Sequence, residues 1–128
     1  MSVFTTANLS PEKNENVGFL VKFEELLNGY FLSGKPQTSG LPSVAYFADE
    51  LHLSANYFGD LIKKETGQSA KEFIQNKTIE VAKNKVFESD KTVNEIAYEL
   101  GFKYPQHFSR LFKQKVGVTP SDYRGSMN

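Results

Sequence analysis

The feature that most constrains the fold is an internal repeat in the second part of the chain. Residues 44–74 align with residues 93–124 at an offset of 49, as in Ala48 and Ala97. After one inserted residue the offset becomes 50, as in Phe58 and Phe108. A repeat of this kind indicates one small structural motif used twice.

Each copy carries the start and stop signals of two short helices. In the second copy Thr92 and Glu95 have capping-box spacing, Gly101 suits the left-handed end of a helix, and Pro105 suits the first turn of the next. That second helix is predicted to end near Val116. Further signals there are the stop at Gly117, the N-cap at Thr119 and the first-turn proline Pro120. The first copy has its own caps, stop and capping box at Ser43, Ser54, Gly67, Ser69 and Glu72.

The segments around the two copies complete an all-α prediction, since no strand pattern occurs. A helix is expected from about residue 17 to 31, with an apolar stripe of Val17, Leu20, Val21, Leu27 and Phe31. A loop rich in Gly, Pro and Ser is expected over 33–42. A helix of about five turns is expected between the copies. The predicted organisation is a flexible leader (1–16), an N-terminal helix and loop (17–42), a first helix-turn-helix (43–68), a linker helix (69–90), and a second helix-turn-helix with a C-terminal helix (91–128).

The second helix of each copy has one apolar and one polar face. Apolar residues at i, i+3 and i+4 are predicted to enter the core: Phe58, Leu61 and Ile62 in the first copy, Phe108, Leu111 and Phe112 in the second. Polar residues or glycine occupy another face: Asn56, Gly59, Asp60 and Lys63 in the first copy, Gln106, Ser109, Arg110 and Lys113 in the second. Two short helices with a tight turn and a free polar face are typical of helix-turn-helix proteins that bind the DNA major groove.

The chemistry of the polar faces favours the second copy as the source of base specificity. Arg110 can donate two hydrogen bonds to guanine, Gln106 can pair with adenine, and Ser109 can bond to several bases. In the first copy Gly59 has no side chain, and Asp60 is useful only as an acceptor from cytosine or as a positioning group. Phosphate contacts are predicted for five lysines, namely Lys63, Lys64, Lys103, Lys113 and Lys115. For Lys63 and Lys64 a simply solvated helix face is an equal alternative.

The distribution of charge supports DNA as a partner, although the chain as a whole carries no net charge. Residues 102–128 carry five Lys and Arg against Asp122 alone, a local charge of +4. Such a basic segment is the electrostatic signature of a nucleic-acid contact.

Composition argues against other classes of protein. The absence of cysteine excludes disulfides, thiolate metal ligands and cysteine nucleophiles. His52 and His107 lack further ligands at metal spacing, and no carboxylates pair as acid and base, so neither a metal, a cofactor nor an enzyme activity is expected. No apolar run is long enough to span a membrane, and a cytoplasmic protein is expected.

The two copies also resemble a known family. "VNEIAYELGFKYPQHFSRLFKQKVGVTPSDYR" is similar to the signature of the AraC/XylS family of bacterial transcription regulators, and "FADELHLSANYFGDLIKKETGQSAKEFI" resembles its paired repeat. The resemblance covers about residues 43–124. It implies seven helices, with two helix-turn-helix units joined by a rigid central helix and recognition helices in adjacent major grooves on one face of the DNA.

The resemblance also implies site residues and partners. By position, the base-contacting sites of the family fall on Asn56, Gly59, Asp60, Pro105, Gln106, Ser109 and Arg110. The implied partners are double-stranded DNA and RNA polymerase, together with an effector-binding or dimerisation domain that this sequence lacks. Thr78 and Lys85 depart from the family, many of whose members have arginine and leucine there.

One alternative function stays open. A helical protein-interaction module that has lost DNA affinity would agree with the net charge of zero and with Asp60.

Overall fold

The computed structural model describes residues 11–126, and within that range it contains helices and no strand. Their bounds are α1 Pro11–Leu32, α2 Lys35–Ser39, α3 Val44–Glu50, α4 Ala55–Thr66, α5 Ala70–Glu88, α6 Val93–Glu99, α7 Pro105–Val116 and α8 Pro120–Ser126. Helices α3 and α4 form the first helix-turn-helix unit, α6 and α7 form the second, and α5 links them. The all-α, two-unit architecture predicted from the repeat is confirmed.

Two hydrophobic clusters form the core, one in each unit. In the first, Phe23 of α1 packs edge-on against Phe47 and Phe58, with ring centroids 5.3 and 4.9 Å apart. In the second, Phe108 and Phe112 are fully buried with the predicted α6 stripe of Ile96, Ala97 and Leu100. Full burial of one such side chain contributes about 1.5–3 kcal/mol.

The linker helix α5 belongs to both clusters. Ile74 lies in the first cluster, whereas Ile79, Ala82 and Val86 lie in the second. Because a single helix of 19 residues contributes to both cores, the two units are packed onto one rigid element. This packing fixes the relative position of α4 and α7.

The predicted capping residues occupy the helix ends. Ser43 and Ser54 accept hydrogen bonds from the backbone N–H groups of Tyr46 and Tyr57, both at 3.1 Å. Both predicted capping boxes, Ser69 with Glu72 and Thr92 with Glu95, are complete, and Thr119 caps α8. These local bonds satisfy N–H groups that a helix start otherwise leaves without a partner.

The N-terminal region differs from the prediction in three respects. Helix α1 begins at Pro11 and not near residue 17, so residues 11–16 of the predicted leader are helical, and residues 1–10 lie outside the described part. This start has no apolar periodicity to reveal it, although Pro11 suits a first helical position. Of the predicted stripe Leu27 is buried and Val21 is 48% exposed, while the side chain of Val17 lies outside the described part; Phe23 and Tyr30 complete the buried face.

The third difference is that the predicted loop over 33–42 contains the short helix α2, which makes eight described helices and not seven. Tertiary contacts stabilise this single turn: Pro36 is buried, and the hydroxyl of Tyr30 donates to the carbonyl oxygen of Gly40 at 2.7 Å. Gly and Pro normally indicate irregular structure, so composition alone gave no sign of a helix.

The end of α2 contacts the second unit at Gly101. Gly101 has the predicted left-handed conformation, with φ +97°, and a Cβ atom there would lie 2.5 Å from the carbonyl carbon of Gly40. The equivalent position in the first unit is His52, whose φ is 60°. Gly101 therefore ends α6 and also allows the backbone after α2 to approach closely.

Polar contacts add to the packing around α5. Arg124 of α8 donates from Nε to the carbonyl oxygen of Val86 at 2.9 Å and from Nη2 to that of Ser89 at 3.3 Å, which caps the end of α5. Lys85 pairs with Glu99 of α6 at 3.0 Å, and Lys91 pairs with the same carboxylate.

None of the helices within residues 11–126 combines the length and the apolar character needed to cross a membrane.

Candidate nucleic-acid interface

Helices α4 and α7 present the predicted polar faces to solvent. The core stripe of each helix is inside as expected: Phe58, Leu61, Ile62, Phe108 and Phe112 are buried, and Leu111 is partly buried. Among the predicted base-contact residues, the exposed ones are Asn56, Asp60, Gln106 and Arg110, and the partly exposed ones are Gly59, Pro105 and Ser109. The side chains predicted to contact bases are thus accessible in both units.

The local geometry of α7 follows from its sequence. Pro105 occupies the first turn, Tyr104 is the N-cap residue with an extended backbone, and Gly117 ends the helix with φ +100°. Among the first residues of α7, Pro105 has no backbone N–H, and the N–H of His107 donates to the carbonyl oxygen of Tyr104 at 3.0 Å. The N–H of Gln106 has no side-chain cap, and a donor in this position can bond to a phosphate oxygen.

The five lysines predicted to contact phosphates are all exposed, but they differ in their surroundings. The ammonium group of Lys63 donates to the carbonyl oxygen of Gly67 at 3.1 Å and so caps its own helix. That of Lys103 lies 5.8 Å from the ring centre of Tyr104. In the described part of the chain, Lys64, Lys113 and Lys115 form no ion pair with an acidic side chain. These three charges remain available to an external anion.

The C-terminal ends of α4 and α7 lie near the start of α5. Hydrogen bonds from the backbone and the hydroxyl of Ser69 lower the pKa of the Glu72 carboxyl, and the nearby charges of Lys115 and Lys63 lower that pKa further. Lys115 belongs to the second unit and Lys63 to the first. Charges from both units therefore act on one carboxylate at the start of α5.

One basic residue of the C-terminal segment has an internal role. Arg124 contributes to the charge of +4 in residues 102–128, but its guanidinium group caps α5 through the carbonyl oxygens of Val86 and Ser89. Four basic side chains of this segment are left exposed, namely Lys103, Arg110, Lys113 and Lys115. The positive surface is smaller than the sequence count indicates.

Sequence reasoning missed three exposed rings at the starts of the recognition helices. Tyr57 and Tyr104 are 54% and 47% exposed, and the imidazole of His107 contacts the ring of Tyr104 with centroids 5.3 Å apart. The repeat itself contained a signal, because Tyr57 and His107 are equivalent at the offset of 50. Side chains at the start of a recognition helix are the ones nearest to base edges in a helix-turn-helix complex.

Within residues 11–126, His, Asp and Glu side chains do not gather in threes at distances that could hold a metal ion.

Comparison with known proteins assigns the family. A helix-turn-helix domain family model, of the AraC type, matches residues 47–126, which is more than half of the chain. The chain belongs to the AraC/XylS family. The uncharacterized HTH-type transcriptional regulator YtdP of Bacillus subtilis is 39% identical to this AraC/XylS domain over 77 residues, which are 60% of this chain and 10% of YtdP.

Solved structures share the same fold. The C-terminal domain of the two-component response regulator YesN from Fusobacterium nucleatum is 25% identical, with a TM-score of 0.67 over 79% of this chain and 96% of that domain. The DNA-binding domain of the transcriptional factor AdpA, solved in complex with a target DNA, has a TM-score of 0.69 at 20% identity and covers 81% of this chain and 90% of that one. The family assignment confirms the resemblance seen in the two repeated segments.

Proposed function

We propose that this AraC/XylS domain binds double-stranded DNA sequence-specifically, through α4 and α7, and thereby regulates transcription. The observation that carries the proposal is the pair of helix-turn-helix units with exposed polar faces on α4 and α7, both packed on the shared helix α5. The DNA complex of AdpA, which has the same fold, and the regulator YtdP, which is similar in sequence, support this function.

In the proposed complex the second unit supplies most of the base specificity. Arg110 would donate two hydrogen bonds to guanine O6 and N7, Gln106 would pair with adenine N6 and N7, and Ser109 would add a further base contact. Pro105 would approach the base edges at the start of α7. Direct base contacts from long polar side chains typically discriminate by about 1–3 kcal/mol each.

The first unit would mainly anchor and position the domain. Asn56 can contact bases, Gly59 allows close approach of the helix backbone, and Asp60 can accept from a cytosine N4 amine or position a neighbouring side chain. Phosphate contacts would come from Lys64, Lys103, Lys113 and Lys115, and from Lys63 once its bond to the Gly67 carbonyl is exchanged for a phosphate oxygen.

The rigid linker sets the geometry of the complex. Adjacent major grooves on one face of the duplex are about 34 Å apart. Since α5 belongs to both cores, the distance between α4 and α7 is fixed by the packing of both units. If this distance differs from the distance between adjacent grooves, the duplex would bend. Such bending costs a few kcal/mol, about 1–6 for a smooth bend.

The remaining parts of the proposal concern the whole protein. The matched region spans only 10% of YtdP, so the partners of the whole protein are proposed by family analogy. They are RNA polymerase and an effector-binding or dimerisation domain. A cytoplasmic location and a role without catalysis accompany this proposal.

The test starts with selection of bound duplexes from a random pool, which yields the operator. On that operator Arg110→Ala should cost roughly 1–3 kcal/mol and relax the preference at one base pair, whereas Lys113→Ala should weaken all sequences alike. Equal losses for Arg110→Ala on operator and scrambled duplexes would contradict the role of Arg110.

Salt dependence separates this function from the protein-interaction alternative. A DNA-binding domain should lose affinity with a log–log slope near −0.9 for each phosphate contact, so several lysines give a steep decline. Absence of duplex binding at low salt would instead support the interaction module.

A further inference from the structure

A cleft of about 500 Å³ lies between the two units, where the linker helix α5 faces the recognition helix α7. Four residues of α5 from Lys71 to Thr78 and four of α7 from His107 to Gln114 line it, each set spaced i, i+3, i+4 and i+7. This spacing places each set along a single helix face. The volume is within the range of about 300–1,000 Å³ that is typical of small-molecule sites.

The interior of the cleft is mostly apolar. Ile74 and Phe102 are 5% and 6% exposed, and Leu111 is partly buried beside them. Thr78 also lines the cleft, but its hydroxyl donates to the carbonyl oxygen of Ile74 at 2.8 Å and needs no further partner. An apolar body placed on this floor would be stabilised by removal of its surface from water.

Positive charge at the cleft has no acidic counterpart. Lys71 and Arg110 both line it and are exposed, and His107 lies there as well, whereas no lining residue is acidic. Neither Lys71 nor Arg110 forms an ion pair within residues 11–126. A second cleft, of about 290 Å³, differs because Glu24 and Glu80 line it beside Lys77.

We propose that the cleft between α5 and α7 binds a small amphipathic anion, with an apolar body on Ile74 and Phe102 and an anionic group on Lys71 and Arg110. A DNA phosphate fits less well, because it would leave the apolar floor unused. The bound anion would withdraw Arg110 from DNA, so occupancy of the cleft would lower DNA affinity. This second step depends on the proposed function, whereas the binding site itself does not.

The probe that tests the site is 1-anilinonaphthalene-8-sulfonate, which joins an apolar aromatic body to one sulfonate. N-phenyl-1-naphthylamine is its uncharged analogue. Fluorescence titration of the full chain without DNA should show one saturable site for the sulfonate and weaker binding of the neutral analogue. Lys71→Gln should weaken the sulfonate roughly five- to tenfold, because a charged contact at an exposed site is weaker than a buried one, and leave the neutral analogue unchanged.

Two further variants control for charge and for folding. Lys77→Gln removes the same charge from the same helix outside the cleft and should leave sulfonate binding unchanged. Thr78→Met places a larger side chain on the cleft floor and should weaken both probes, with its helical circular dichroism retained. Equal sulfonate affinities of Lys71→Gln and the wild type would overturn the site, as would equal losses in the Lys71 and Lys77 variants or equal affinity of the two probes.

The final arm adds the selected duplex. Saturating sulfonate should weaken duplex binding by the wild type several-fold and have a smaller effect on Lys71→Gln. Unchanged duplex affinity of the wild type would overturn the competition. If the wild type binds no duplex at low salt, the proposed function fails, and the fluorescence titrations still decide whether the cleft is a binding site.

Discussion

The contact between Gly101 and the backbone after α2 gives a sharp prediction about stability. An alanine Cβ at Gly101 would lie 2.5 Å from the carbonyl carbon of Gly40 and 2.6 Å from the nitrogen of Leu41. Both are backbone atoms, so no side-chain rotation can relieve the overlap. Gly117 is a matched control, because its φ of +100° is close to the +97° of Gly101 and a Cβ there would meet nothing within 4 Å.

The expected losses follow from these two environments. A non-glycine residue in the left-handed region costs about 1–2 kcal/mol, and the smaller entropy of the unfolded alanine chain offsets about 0.4–1 kcal/mol of that. Gly117→Ala should therefore destabilise the domain by roughly 1 kcal/mol. Gly101→Ala carries the same cost and must also shift the backbone of Gly40, which adds about 1–3 kcal/mol as in other overpacked sites.

Urea unfolding followed by helical circular dichroism measures both variants. The midpoint of Gly101→Ala should fall further than that of Gly117→Ala, by roughly 2 kcal/mol in free energy of unfolding at an unchanged m-value. Equal losses would refute the reasoning, because they would mean that α2 does not pack on the α6–α7 turn. A larger loss for Gly117→Ala would refute it as well.

The remaining predictions concern polar contacts. Burial raises the pKa of Glu99, but the hydrogen bonds and charges of Lys91 and Lys85 outweigh burial and place this pKa below its usual value. A lowered carboxyl pKa stabilises the fold fully above the unfolded value of about 4.3, and this stabilisation is lost as the pH falls through the folded value. Glu99→Gln should therefore lower the free energy of unfolding by about 1 kcal/mol at pH 7, less than for a fully buried pair because both lysines are partly exposed. In urea unfolding the difference from wild type should vanish near pH 3. A difference that stays constant with pH would contradict the pairing. Arg124→Met should cost roughly 1–3 kcal/mol of stability, because it removes the hydrogen bonds to the carbonyl oxygens of Val86 and Ser89. It should leave the salt slope of DNA binding unchanged. A shallower slope would place Arg124 on the DNA instead. Thr92→Ala should cost about 1 kcal/mol of stability and Thr92→Ser much less, because serine retains the acceptor for the Glu95 N–H. Thermal unfolding measures both variants. Similar losses of stability in the two would argue against a capping role.

Local signals in the sequence predicted most of the fold. Capping residues such as Ser69 and Thr92 act on N–H groups three residues away, and Gly101 and Gly117 act on their own backbone, so these signals do not depend on the rest of the chain. The start of α1 at Pro11 and the helix α2 were missed for different reasons. The first lacks apolar periodicity, and the second depends on burial of Pro36 and on the approach of Gly40 to Gly101.

In the candidate site too, some features follow from local spacing in the sequence and others depend on contacts between distant residues. Exposure of Gln106 and Arg110 followed from helical spacing, because Phe108 and Phe112 fix which face of α7 is inside. The internal role of Arg124 did not follow, since its acceptors are carbonyl oxygens 38 and 35 residues earlier in the chain. The cleft beside Arg110 could not be predicted from the sequence either, because three separate segments of the chain form it.

Hydroxyl-radical footprinting on the selected duplex tests most directly whether two recognition helices, fixed by α5, enter adjacent major grooves on one face of DNA. Two protected segments are expected, about one helical turn or roughly 10 base pairs apart and on the same face of the duplex. Substitution of Asn56 and Lys64 by alanine should weaken protection in one segment, and Gln106→Ala should weaken it in the other. A single protected segment, or two on opposite faces, would contradict the account.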